Sequence, residues 1–230
     1  LRASANKLYV KMKKAHPPKR FRGVKRRKLE NCPVCHSEDH LMLFSVWEGE
    51  DKVVTKICNK CGTVYLAETL DSANLEGKGK HGGSTVYGKE NTEEHLEKVL
   101  NLMYQRGEKY YNYIAQYFDT KDKTHLDVTC QYGGIVKYFE KQGLKSQGID
   151  NSKELVDYGV RVGLDLMHGD FLTHDFKEKY DVITMPRVIN HYINPLDYLL
   201  KAKSILKPGG IIFMEQLNFS HALRRKGIYR

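Results

Sequence analysis

From residue 124 to residue 216, strand signals and helix signals alternate without a break, and this is the feature that most limits how the chain can fold. "HLDVT" reads as a strand, "GGIVKYFEKQG" as a helix, "SQGID" as a strand and "SKELVDYGVRV" as a helix. "DLMHGDF" then supplies a short strand, "YDVITM" a strand, "NPLDYLLKAKSIL" a helix and "GGIIFMEQ" a strand. A strand that returns through a helix lies parallel to its predecessor, so strict alternation predicts a doubly wound α/β domain with a mostly parallel sheet. Ahead of it, Leu96, Val99, Leu100, Met103, Tyr110, Tyr113, Ile114 and Tyr117 recur at helical spacing. That spacing predicts a helix near 92–118, opened by Asn91 and Glu94 as a capping box. At 40% hydrophobic residues the chain can bury a core, and no apolar run approaches the ~20 residues of a membrane span.

A different constraint governs residues 31–70. "CPVC" and "CNKC" place Cys32, Cys35, Cys58 and Cys61 as two C-x2-C pairs. Each two-residue gap lets both thiolates of a knuckle face one ion, and four thiolates complete a tetrahedral zinc site. Two redox-active pairs and an iron–sulfur cluster use the same residues, and His36 is an alternative donor beside Cys35. "HLMLFSVWE" and "KVVTKI" flank "GED" and predict a hairpin, so the unit reads as a small zinc ribbon. Such a unit has little core of its own, and the ion should supply much of its folding energy.

The net charge of +10 is unevenly placed. Residues 1–30 carry +11, the tail 224–230 carries +4, and the body between them sums to −5. The expected organisation is therefore a basic extended arm (1–30), the ribbon (31–70), a Gly-rich linker (71–91), the α/β domain (92–223) and a basic tail (224–230). Within the arm, Lys19, Arg20, Arg22, Lys25, Arg26, Arg27 and Lys28 form a cation run with Phe21 available to stack. Cations spaced along an extended chain follow a phosphate backbone and gain affinity by releasing counterions, so RNA is the expected partner of the arm. Paired cysteines without a disulfide pattern indicate a reducing intracellular compartment. The chain opens on Leu1, and "LRASANK" has the Arg/Ser/Ala character of a transit-peptide end, which places the mitochondrial matrix ahead of the cytoplasm as the expected location.

The order of motifs in the α/β region resembles class I S-adenosylmethionine-dependent methyltransferases. The residues that carry the resemblance are "LDV", Gly133-Gly134, "GID", "HGDF", "YDVIT", "INHYINP" and "LKPGGIIFMEQLN". The N-terminal module resembles the one found ahead of sugar C-methyltransferases. The resemblance implies S-adenosylmethionine as cofactor, with Asp127 near its amino group, Gly133 in the cofactor loop, Asp150 on the ribose hydroxyls and Asp170 at the adenine. It also implies His191 as a base or substrate-positioning group.

Three departures from that pattern shape the functional expectation. The family's loop reads approximately D-x-G-x-G-x-G, whereas Thr129 and Gln131 stand at the first two glycine places. Arg187 brings a cation to the loop after the fourth strand, where it would oppose the cofactor's sulfonium. Relatives continue past the fifth strand into an antiparallel pair that "NFSHALRRKGIYR" has no room for, so either the sequence is shortened there or a partner is expected over that edge. Together they lead to the expectation of a non-catalytic, methyltransferase-like protein. It would serve as an RNA-binding structural or assembly component of a large ribonucleoprotein particle, such as a mitochondrial ribosome, beside neighbouring proteins. The alternative is an active S-adenosylmethionine-dependent methyltransferase acting on RNA, protein or a small molecule.

Overall fold

A computed structural model describes residues 26–48, 51–70, 92–189 and 194–216, which fall into two compact units. The cysteine unit is built on an antiparallel hairpin, β2 (His40–Glu48) against β3 (Asp51–Cys58), in register from His40↔Cys58 to Glu48↔Asp51. A third strand, β4 (Val64–Leu66), pairs with β3. The hairpin expected from the sequence is present.

The cation run is placed differently from the expectation. Lys19, Arg20, Arg22 and Lys25 lie outside the described residues, but Arg26, Arg27 and Lys28 are not an extended arm. They form β1 (Arg26–Lys28), paired antiparallel with β5 (Glu68–Leu70). Lys28 stands opposite Glu68, an attractive cross-strand pair, and the Leu29 amide continues the ladder to the Ala67 carbonyl at 2.8 Å. A basic stretch joins a sheet when a strand of opposite charge offers it backbone partners. The paired segment thus begins at Arg26, five residues before the expected boundary at 31.

In the second unit the helices α1 (Glu93–Ile114), α2 (Gly134–Lys141), α3 (Lys153–Arg161) and α4 (Pro195–Ser204) accompany five strands. The strands are β6 (Thr124–Val128), β7 (Lys145–Asp150), β8 (Leu166–His168), β9 (Tyr180–Thr184) and β10 (Leu206–Phe213). They run in the order β10-β9-β6-β7-β8, and every pair is parallel, as alternation predicted. The helix cap sits one residue later than expected. Thr92 is the cap and its hydroxyl accepts the His95 amide at 3.3 Å, while Asn91 lies outside the described residues.

The pleat sorts β6 between two cores. Leu126 and Val128 join Ile149, Ile183, Tyr198 and Ala202 on the face under α4. On the other face, α1, α2 and α3 contribute Val99, Leu100, Val136, Phe139, Leu155 and Val156. Each fully buried aliphatic or aromatic side chain is worth about 1.5–3 kcal/mol of transfer free energy. Gly134 marks how closely α2 crosses α1: a Cβ there would lie 2.4 Å from the Leu100 carbonyl oxygen. At the amino ends of the central strands, Asp181 accepts the Thr124 amide at 2.9 Å and the Lys207 ammonium at 2.8 Å. Burial would raise the Asp181 carboxyl, but these donors hold it down at about 2. That ionised node ties β6, β9 and β10 together at the end of the sheet away from the acids considered next.

Candidate functional site

The metal centre follows from the hairpin. Cys58 ends β3, Cys61 lies on the turn after it, and Cys32 and Cys35 lie on the turn before β2. The four sulfurs all fall within 4.8 Å of one another, with Cys32–Cys61 at 3.6 Å and Cys35–Cys58 at 3.5 Å. A disulfide needs ~2.05 Å, so these are thiols. One tetrahedral zinc with Zn–S near ~2.3 Å separates its sulfurs by ~3.8 Å, close to what is seen. A polynuclear iron–sulfur cluster would spread the thiolates over several irons and hold them further apart. The chemistry of the donor set and its spacing therefore fit a single ion such as zinc.

Both knuckles share one backbone plan. The His36 amide bonds the Cys32 carbonyl and the Gly62 amide bonds the Cys58 carbonyl, each at 3.0 Å. His36 at φ 58 and Gly62 at φ 75 occupy the same left-handed place four residues after the first cysteine. His36 is exposed and serves as the turn residue of its knuckle, while the ligand cluster consists of the four cysteines.

In the parallel sheet the strand order reverses direction between β6 and β9, which lead to helices on opposite faces. In open α/β sheets the crevice beyond the carboxyl ends of the strands at such a point is where ligands bind. Asp127, Asp150 and Asp170 stand at or just after the carboxyl ends of β6, β7 and β8. Asp150 is 6% exposed and holds the loop after β6: its Oδ2 accepts the Gln131 amide at 3.0 Å and its Oδ1 the Ser152 amide at 2.9 Å. Its carbonyl accepts the Gly169 amide at 3.0 Å, which brings the end of β8 and the exposed Asp170 alongside. Asp170 uses Oδ1 to cap the turn that follows, accepting from Leu172 at 2.8 Å and Thr173 at 3.2 Å.

The loop after β6 keeps a glycine-type backbone without the glycines. Thr129 has φ 60, Gln131 has φ 52 and Gly133 has φ 81. A β-branched residue in that region is rare, and each such residue costs on the order of 1–3 kcal/mol. Tertiary bonds impose it: the Cys130 amide donates to the Ile149 carbonyl at 3.1 Å, the Gln131 amide to Asp150, and the Gly133 amide to the Cys130 carbonyl at 2.9 Å. Gly133 is required on its core side, where a Cβ would meet Leu164 at 2.8 Å and Leu166 at 3.0 Å. Gln131 Oε1 is buried with no hydrogen-bond partner. An unmet acceptor in this loop fits a cofactor that carries an amino group.

Asp127 is 1% exposed, and its Oδ1 accepts the Thr184 hydroxyl at 2.6 Å. Burial, reinforced by the charge of Asp150, raises its carboxyl to about 7 although Thr184 lowers it. Behind it stands His125, fully buried and stacked on Phe139 with centroids 3.9 Å apart. Arg187 does not present a bare cation, because its guanidinium bonds Glu215 at 3.1 Å and its amide bonds the Glu215 carbonyl at 2.7 Å. Glu215 is held in turn by the Tyr110 hydroxyl at 2.6 Å. His191, the expected base, lies outside the described residues. His125, Thr184 and Ser146 were missed in the sequence. The signal was present in the two-residue spacing of His125 and Asp127, which puts both on one face of β6.

A five-stranded parallel sheet in this order, with acids at the carboxyl ends of three strands and a left-handed loop after the first, defines a class I S-adenosylmethionine-dependent methyltransferase fold. The chain belongs to the methyltransferase domain family, whose profile matches residues 102–228. It is similar to the ubiquinone biosynthesis O-methyltransferase of Hydrogenovibrio crunogenus, 27% identical over 114 residues that cover 46% of this chain and 47% of that protein. The protein of the same name from Actinobacillus pleuropneumoniae is 31% identical over 108 residues, 42% of this chain and 46% of its own. The chain thus spans about half the length of the curated relatives it matches. Among solved structures, the plantazolicin methyltransferase BpumL in complex with SAH aligns at a TM-score of 0.47 and 17% identity, over 64% of this chain and 62% of that one.

These relatives overturn the expectation of a non-catalytic ribonucleoprotein component. The matches are to a methyltransferase family and to proteins named as O-methyltransferases, and nothing among them points to ribosome assembly. The physical ground for that expectation also changes. Thr129 and Gln131, which stand at the glycine places, keep a left-handed backbone there, and the cation expected to oppose the sulfonium is paired. Among the described residues no helix is long and apolar enough to cross a membrane.

Proposed function

We propose that the α/β unit is an active S-adenosylmethionine-dependent methyltransferase acting on a hydroxyl of a small molecule, with RNA or protein acceptors as the less supported case. The observation that carries this is the loop Thr129–Gly133, in which Thr129 and Gln131 are held in left-handed conformations at an energetic cost and Asp150 holds the Gln131 amide. Strain of that kind persists where surrounding structure enforces it for a purpose. The names of the curated relatives favour a hydroxyl acceptor.

When bound, the cofactor would supply an electrophilic methyl group carried on a cationic sulfonium. The chain's own groups bind and orient. Asp150, its two oxygens set by the Gln131 and Ser152 amides, is placed to take the ribose hydroxyls. Asp170 keeps Oδ2 for the adenine end, since Oδ1 is spent on its own turn. Glu215 offsets the charge of Arg187. Catalysis would come chiefly from proximity and orientation. The ribbon, by this reading, binds zinc for structure, in an intracellular reducing compartment.

Calorimetric titration of S-adenosylmethionine and S-adenosylhomocysteine into the zinc-loaded chain tests the proposal. Micromolar binding is expected. Absence of heat at millimolar ligand, in protein shown to be folded, overturns it.

A further inference from the structure

One buried polar chain runs through the sheet to the cofactor loop. Ser146 Oγ lies 2.6 Å from His125 Nδ1, His125 Nε2 lies 2.9 Å from Thr184 Oγ1, and Thr184 Oγ1 lies 2.6 Å from Asp127 Oδ1. All four residues are at most 3% exposed. Strand register builds the chain, because His125 stands opposite Ser146 on β7 and Asp127 stands opposite Thr184 on β9.

With Asp127 ionised, one assignment of protons satisfies every contact. The carboxylate can only accept, so the Thr184 hydroxyl donates to it. That hydroxyl has a single hydrogen and must therefore accept from His125 Nε2–H. The neutral ring then offers a lone pair at Nδ1, which takes the Ser146 hydroxyl. Burial holds the His125 imidazole down at about 3, so it stays neutral in the working range. Each donor thus points toward Asp127, and neighbouring bonds in such a chain polarise one another.

We propose that Ser146, His125 and Thr184 are positioning residues that orient the Asp127 carboxylate and make cofactor affinity depend on its proton. The proposal rests on the methyltransferase reading above. Thr184 fills Oδ1, which leaves Oδ2 as the oxygen for a cationic amino group. The titratable groups facing Asp127 are Asp150 from β7 and Cys130 from the loop, while β9 presents the uncharged Thr184. Burial, with the charge of Asp150 beside it, raises the Asp127 carboxyl to about 7. Below that pH a cationic ligand must displace the proton into solvent, and above it the carboxylate is already charged. Affinity therefore rises as pH rises through the midpoint and levels off above it.

The experiment follows the Asp127 carboxyl by 13C NMR in the zinc-loaded full chain, and the affinity for S-adenosylhomocysteine by calorimetry from pH 5.5 to 9. Thr184→Val removes the donor to Oδ1 and should raise the midpoint by roughly one to two pH units, weakening binding about tenfold or more at pH 7. Thr184→Ser should keep both wild-type values. Ser146→Ala should move the midpoint upward by a smaller amount, and it provides the reading where Thr184→Val does not fold. Variants that melt earlier yet titrate at the wild-type midpoint overturn the relay, because a merely structural role lowers stability alone. If the wild type binds no S-adenosylhomocysteine at any pH, the methyltransferase reading falls. The relay is then decided by the carboxyl titration: a raised midpoint in Thr184→Val upholds it and an unmoved one overturns it.

Discussion

Among the described residues the cysteine unit buries one cluster, formed by Cys32, Cys58 and Tyr65 with Leu29 and Cys35 against it, whereas the parallel-sheet unit buries three, drawn from each of its described strands and helices. Two of the three residues in the small cluster are metal ligands. Its apolar burial is too slight to offset chain entropy at ~1–2 kcal/mol per residue, so an ion must supply the difference. The larger unit spreads the same task over many side chains, each worth a few kcal/mol at most. One unit is therefore specified by four atoms, and the other by a pattern.

The sharpest way to break that comparison is to remove the metal. Chelation, or Cys58→Ser, should abolish amide-exchange protection across β2, β3 and β4, since structural zinc contributes on the order of 10 kcal/mol or more of apparent binding energy. Protection in β6, β7 and β9 should survive. Retained protection in β2–β4 without metal would show that the hairpin has a core of its own.

Next in size is a test of close packing in the larger unit. Gly134→Ala places a methyl 2.4 Å from the Leu100 carbonyl and 2.5 Å from Met103 Cβ, both on α1. The helices must separate, and a loss of about 3 kcal/mol is expected in urea unfolding. Gly143→Ala is the contrasting case: unlike the helical Gly134, Gly143 has positive φ, at 87°, and nothing lies within 4 Å of the new Cβ. It should cost only about 1 kcal/mol, from backbone strain. Equal losses would mean that the α1–α2 crossing yields easily.

How far the sequence revealed these units depends on the range of the interaction. The four ligands and the hairpin were legible because two residues separate the cysteines within each pair, and such local chemistry leaves few choices. Strand and helix order was legible from periodicity, which is also local. The β1–β5 pairing was not, because nothing in "RRK" announces a partner some forty residues away. The relay was half legible. Spacing puts His125 and Asp127 on one face, but the β6–β9 register that supplies Thr184 joins residues 57 positions apart. What the sequence did not show is how the loop is held: Thr129 and Gln131 disfavour left-handed backbone, and bonds to β7 and within the loop keep them there.

A pH titration separates the two units again, with an effect spread over several pH units. The His125 pKa is depressed to about 3 in the fold by burial, against ~6.5 when unfolded. Its contribution to stability is complete above ~6.5 and is lost progressively as pH falls toward 3, because the unfolded state takes up the proton first. Asp127 acts in the opposite sense: its raised pKa favours the fold at low pH, and that contribution fades between ~4 and about 7. Stability read at the amides of β6 and β9 should therefore be nearly flat between pH 4 and 6, where the two slopes oppose. His125→Gln should remove the acid-side loss and leave a net decline with rising pH. A decline already present in the wild type would mean that His125 carries its proton in the fold.

The smallest effect concerns the loop itself. Thr129→Gly relieves a β-branched residue at φ 60, a gain of about 1–3 kcal/mol, against about 0.5–1 kcal/mol for the added freedom of glycine in the unfolded chain. A net stabilisation of about 1 kcal/mol is expected, and less for the unbranched Gln131→Gly at φ 52. The backbone already occupies the conformation a glycine would prefer, so neither substitution should move it. Thr129→Gly should leave cofactor affinity within a few-fold of wild type. Gln131→Gly, by contrast, removes the unpartnered Oε1 along with the strain, so affinity should fall even as stability holds. If both variants instead bind tightly, the side chains were obstacles that the ligand tolerated. If only Gln131→Gly weakens binding, the carboxamide has taken over a contact at a place where the family uses bare backbone.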